Sequence, residues 1–289
     1  MTFLTQSESE KKENPLGTAP VTGLIAKYAI PAILSMLVTA AYNITDQIFI
    51  GNVVGMLGNA ATNVAFPSVT LTTAFAQMAG IGTAANFNIY MGKKQEDEAK
   101  RFLGTGISFM AVLGVLIMAV VFVWKRQILV LCGATEASMP LALSYLTITN
   151  IGLPFFLFSN GGCHMIRADG SPAYSMLCNV SGAILNVFLD ALFMFKFGWG
   201  IKGAALATIT GQIFSFVLCA AYFFHMKSFP FSFKMLGIRL NYLVRILKLG
   251  LSNFINQIIM MIVNITLNNM LKTYGAVSLY GEDIPLAVS

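Results

Sequence analysis

The sequence predicts an all-α, polytopic membrane protein, and three observations carry that prediction. Of 289 residues, 56% are hydrophobic and only 10% are charged, against roughly 25% charged in a soluble domain. Mean hydropathy is +0.73, too apolar for one large soluble core. Seven runs, near 24–50, 60–90, 102–124, 140–163, 174–197, 203–225 and 247–271, are each long enough to cross a ~30 Å hydrocarbon layer as a helix.

The elements follow in order. Residues 1–20 are expected to be a polar cytoplasmic tail, with Lys11 and Lys12 among Glu8, Glu10 and Glu13. The apolar run after them is too long for a cleavable leader and reads as an anchor. Residues 21–226 hold six spans, one lobe. Pro31, Pro67 and Pro154 lie inside runs and predict kinks. Residues 227–246 are basic and amphipathic ("FKMLGIRLNYLVR") and read as a linker lying along the inner surface. Residues 247–289 then hold a seventh span and a polar loop.

Charge sets the expected orientation. Lys125, Arg126, Lys196, Lys202 and Lys272 fall on one side of the membrane, and the rest of the 18 Lys and Arg fall on the side of the N-terminal tail. The positive-inside rule therefore puts the N-terminus in the cytoplasm. A net charge of +6 distributed in this way describes topology, not nucleic-acid binding.

The first and seventh spans repeat. Lys27–Gly51 lies over Lys248–Lys272 without gaps, so that Asn43-Ile44-Thr45 meets Asn264-Ile265-Thr266. A parallel repeat of six helices is a common transporter plan. It makes this chain one six-helix lobe plus the first helix of a second, pseudo-symmetric lobe, with the rest of that lobe expected beyond Ser289.

Only two acids, Asp46 and Asp190, fall within spans. A carboxylate at membrane depth is costly and marks a functional site by default. Ser35, Thr39, Tyr42 and Asp46 recur at steps of a single helical face, with Asn43 beside them. Asn179, Asn186 and Asp190 do the same in the fifth span. Such stripes face inward, and helix–helix hydrogen bonding is the competing use for them. The seventh span carries Asn253, Gln257, Asn264 and Asn268, with Leu267 where the repeat puts Asp46. No Lys or Arg shares a span with the acids. A carboxylate removed from water can carry a proton, and Asp, Asn, Thr and Tyr oxygens also suit a hard cation such as Na⁺.

The four cysteines lack metal or redox spacing and read as inert packing residues. His164 and His225 sit at span ends. No nucleophile–base pair or metal cluster points to an enzyme.

Several motifs resemble the multidrug and toxic compound extrusion (MATE) transporters. These are "PAILSMLVTAAYNITDQIFIG" in the first span, "IRADGSPAYSM" after the fourth, and "NVFLDALFMFKFGWGIKGAALAT" across the fifth and sixth. The resemblance implies twelve helices in two lobes around a central cavity, in a bacterial or archaeal cell membrane. It implies antiport of amphipathic, often cationic drugs against Na⁺ or H⁺, with no other cofactor. Carried over to this sequence, it puts the cation site at Asp46, Asn186 and Asp190, with Thr208 and Tyr145. Tyr42, Asn43, Asn179, Asn253, Gln257 and Asn264 are then expected to line the substrate cavity. A flippase for a lipid-linked precursor is the alternative, and it would favour a basic cavity. A seven-helix receptor is opposed by the N-in orientation. A retinal protein would have only Lys272, at a span edge, for its Schiff base.

Overall fold

The computed structural model describes residues 21–274 and the strand segments Ala276–Val277 and Asp283–Ile284. The polar tail and most of the expected outer loop at the C-terminal end lie outside the described residues. Seven long helices run in chain order: α1 (Val21–Val53), α2 (Met56–Gly92), α3 (Glu96–Leu131), α4 (Met139–Ala168), α5 (Pro172–Asp190), α6 (Gly200–Phe223) and α7 (Leu240–Tyr274). All seven are long and apolar enough to cross a membrane. Ala276 and Val277 pair antiparallel with Ile284 and Asp283.

The exterior is apolar, as a bilayer requires: Met36 is 74% exposed and Phe188 67%. α4 is the central helix, packed by α2, α3, α5 and α6, whereas α1 leans mainly on α5. Pro31, Pro67 and Pro154 all lie within continuous helices. A departure from helical geometry falls instead at Trp124 of α3 (φ −103°, ψ 16°), where there is no proline.

Two boundaries differ from the sequence expectation. α7 begins at Leu240, inside the expected linker, because Leu243, Ile246 and Leu247 continue its apolar face and no Gly or Pro interrupts before Gly250. What remains of the linker holds a short 3₁₀ turn, Phe233–Met235. The fifth span changes geometry immediately after Asp190, where Ala191–Lys196 winds as a π-helix. Such segments are frequent at functional sites.

The expected opening helix of a second lobe is seated firmly on the first six. α7 crosses α2 with backbones nearly touching: Gly82 faces the Ile246 carbonyl and Gly250 faces the Met78 carbonyl. A side chain at either glycine would collide with backbone, so glycine is what permits this approach. Phe75–Phe254 and Gln257–Gln77 (Nε2 to Oε1, 3.3 Å) extend the same seam.

At the other end of the bundle from Asp46, Asp169 ties the α4–α5 loop to the segment after α6. Its Oδ2 accepts from the Tyr222 hydroxyl (2.7 Å) and the Lys227 N–H (2.8 Å), and its Oδ1 from the Ser228 N–H (3.1 Å) and hydroxyl.

Candidate functional site

A cavity of about 590 Å³ opens between the helices, and every long helix except α3 contributes to its wall. α1 supplies Thr39, Tyr42, Asn43 and Asp46 from its inward stripe. Ser35, the first member of that stripe, turns back to donate to the Pro31 carbonyl (2.8 Å). α5 supplies Asn179 and Asn186, α4 supplies Tyr145, α6 supplies Thr208, and α7 supplies Asn264 and Asn268. Asn43 and Asn264, equivalent in the internal repeat, thus reach one cavity from two helices.

Asp190 is fully buried, at 0% exposure, and Asp46 is 9% exposed. α1 packs along α5, which sets the two carboxyls within hydrogen-bonding reach of each other. Among the described residues no Lys or Arg forms an ion pair with either acid. Asn186 lies beside Asp190 one helical turn away, yet neither of its amide atoms meets hydrogen-bond geometry. Tyr145 stands against Thr208, whose hydroxyl donates to the Ala204 carbonyl (2.9 Å).

The polar atoms of this site are buried and short of partners. Asp46 Oδ1, both Asp190 oxygens, both Asn186 amide atoms and Gln212 Oε1 have no hydrogen bond within the protein. Buried polar groups are almost always satisfied. Two carboxyls side by side are relieved by a shared proton or by a cation. The donor set is oxygen only, from Asp46, Asp190, Asn186, Tyr145 and Thr208. That suits Na⁺ or H⁺ and not a soft metal. Among the described residues no three His, Cys, Asp or Glu are grouped to hold a metal.

Two expected cavity residues lie elsewhere. Asn253 and Gln257 are not on the wall, and Gln257 is paired with Gln77 in the α2–α7 seam. Conversely, the wall includes Gln47, Asn63, Thr149, Asn160 and Gln212, which the sequence reading passed over. Thr208, Gln212 and Ser215 recur at helical steps of four and three, a stripe visible in the sequence around the residue already singled out.

The model of the MatE family matches residues 31–192, more than half the chain. The chain belongs to the MatE family. It is therefore a multi-pass membrane protein of a transporter family, not an enzyme. It is 24% identical over 266 residues to the multidrug export protein MepA of Staphylococcus aureus, covering 91% of this chain and 59% of MepA. MepA of Staphylococcus saprophyticus is 25% identical over 88% of this chain and 57% of its own. The structure of the MATE multidrug transporter DinF-BH, solved in complex with a drug-like ligand, superimposes with a TM-score of 0.85, at 30% identity over 90% of this chain and 58% of that one. The chain thus spans less than two thirds of the length of the relatives it matches.

Proposed function

We propose that this chain forms the ion-coupled lobe of a secondary active multidrug antiporter, exporting amphipathic, often cationic compounds in exchange for Na⁺ or H⁺. The observation that carries the proposal is the Asp46–Asp190 pair, with unsatisfied oxygens and no basic neighbour, at the edge of a cavity large enough for a small organic molecule. The names of relatives support the class of cargo: MepA is a multidrug export protein, and DinF-BH is a multidrug transporter solved with a drug-like ligand.

In this mechanism the two carboxyls attract a cation, or hold a proton, from the outer side. Asn186, Tyr145 and Thr208 supply the remaining oxygens. Occupancy neutralises the pair and removes its repulsion, which lets α1 pack more closely on α5. The cavity wall moves with α1, because Thr39, Tyr42 and Asn43 ride on the same helix. An ion that binds one arrangement better than the other shifts the population toward it. Drug is released in the ion-bound arrangement, and release of the ion inward resets the cycle.

The wall contains no Lys or Arg, which weighs against a pyrophosphate-bearing lipid as cargo. The test is efflux of ethidium from cells expressing the full-length parent. Asp46→Asn and Asp190→Asn are each expected to abolish energised efflux with membrane expression intact. Undiminished efflux in both variants would sink the mechanism.

A further inference from the structure

Arg167 lies in the last turn of α4, 22 residues beyond Tyr145 and so about 33 Å along the helix from the acid pair. It is half-buried. Its guanidinium donates from Nη2 to His164 Nδ1 (3.0 Å), since Arg has no acceptor to offer. No carboxylate pairs with it among the described residues. The nearby acid in sequence, Asp169, is engaged with Tyr222, Lys227 and Ser228.

The side of α4 on which Arg167 sits decides what it faces. Other sides of α4 are covered by α2, α3, α5 and α6. Phe156 and Asn160 line the cavity, and His164 and Arg167 follow them at steps of four and three on the same stripe. All four are partly exposed on a helix otherwise largely buried. The cation therefore faces the cleft, below the cavity, and not the lipid. A half-buried guanidinium needs an anion, and its planar fork suits a carboxylate.

We infer that Arg167, braced by His164, is one half of a gate at the end of the cleft remote from Asp46, its partner being a carboxylate on the part of the transporter that covers this face. The inference rests on the two-lobe antiporter reading. DinF-BH, of which this chain covers 58%, has the additional length to supply such a covering. The ion pair holds this end shut while the cavity faces the acid-pair side, and it parts when the cleft opens the other way. His164 fixes the guanidinium without neutralising it, which leaves the fork free to make and break that contact.

The test uses the full-length parent in liposomes, with Asn160→Cys as an added thiol and a membrane-impermeant maleimide applied on the Arg167 side. Arg167→Ala and Arg167→Glu are expected to raise labelling severalfold over the parent with Arg167 intact, and Arg167→Lys to raise it less. Should Arg167→Glu fail to assemble, Arg167→Gln carries the same expectation. Unchanged labelling in every assembled variant overturns the gate. The measurement is repeated in phosphatidylcholine alone and with phosphatidylglycerol added. An equal effect in both supports a protein carboxylate, whereas an effect confined to the anionic lipid assigns the anion to a headgroup and overturns the proposal. Labelling needs no ion coupling, so its outcome is independent of the efflux of the Asp46 and Asp190 variants.

Discussion

Asp46 of α1 and Asp190 of α5 meet carboxyl to carboxyl in a place where no basic side chain reaches them. The bundle is built around a repulsion that a bare hydrophobic core would lack. Removing one charge should therefore spare the fold while stopping the cycle. Asp190→Asn in the full-length parent is expected to melt no lower than wild type, and efflux is expected to fall by an order of magnitude or more. Scanning fluorimetry and dye efflux on the same preparation separate the two effects. A drop in melting temperature of many degrees would instead make Asp190 a structural hydrogen-bonding residue.

The Asp169 clamp makes the opposite prediction. Four donors converge on its two oxygens, and loss of the carboxylate leaves all of them without an acceptor. Asp169→Ala is expected to destabilise the protein by about 3 kcal/mol, and Tyr222→Phe by about 1 kcal/mol, since only one of the bonds is lost. Chemical denaturation in detergent reads both. Equal effects would show that Tyr222 carries the clamp alone.

The α2–α7 seam is as exacting. Gly250 faces the Met78 backbone and Gly82 the Ile246 backbone, so neither neighbour can rotate away as a side chain would. Gly250→Val is expected to cost at least ~2 kcal/mol through overpacking, and to weaken the Gln257–Gln77 contact on the same helix. Gln257→Ala alone is expected to cost about 1 kcal/mol. A Gly250→Val protein with unchanged stability would show that α7 does not sit on α2 in the assembled transporter.

How much of this was legible depended on how unusual each residue is in its setting. Asp46 and Asp190 stood out because an acid in an apolar span has few uses. Asn186 followed from its place one turn before Asp190. Gln212, Thr149 and Asn160 did not stand out, because Thr and Asn in a span often satisfy themselves locally, as Thr149 does on the Tyr145 carbonyl (3.0 Å). Only the three-dimensional wall separates the residues that do so from those that face a cavity. Asn253 and Gln257 failed for the reverse reason: their stripe on α7 is real, but α7 leans on α2 along its first half, so only Asn264 and Asn268 reach the cavity. The helix start at Leu240 was hidden because basic residues look like a linker even where the apolar period continues through them.

The cysteines offer a direct check of packing. Cys132, Cys163, Cys178 and Cys219 are all buried and free, at 2% exposure or less. Maleimide is expected to leave these four unmodified in the native protein and to modify all of them after denaturation in SDS, as peptide mass spectrometry would show. Rapid native labelling at Cys163, next to the cavity residue Asn179 (Sγ to Oδ1, 3.6 Å), would mean that the α4–α5 interface opens during the cycle.

The coupling ion can be separated from the mechanism by mass action. A ligand that binds only the folded state stabilises it by RT ln(1 + [L]/Kd), about 2.7 kcal/mol at a hundredfold excess over Kd. The oxygens of Asp46, Asp190, Asn186, Tyr145 and Thr208 form a donor set that Na⁺ would accept, so NaCl is expected to raise the melting temperature relative to choline chloride at equal ionic strength. The same comparison in Asp46→Asn and Asp190→Asn should show no difference, because each variant lacks one of the two charges that hold the ion. A wild-type protein indifferent to Na⁺ but losing efflux in both variants would assign the coupling to H⁺, with the shared proton of the carboxyl pair as its carrier. Na⁺ stabilisation that persists in both variants would place the ion somewhere other than between α1 and α5.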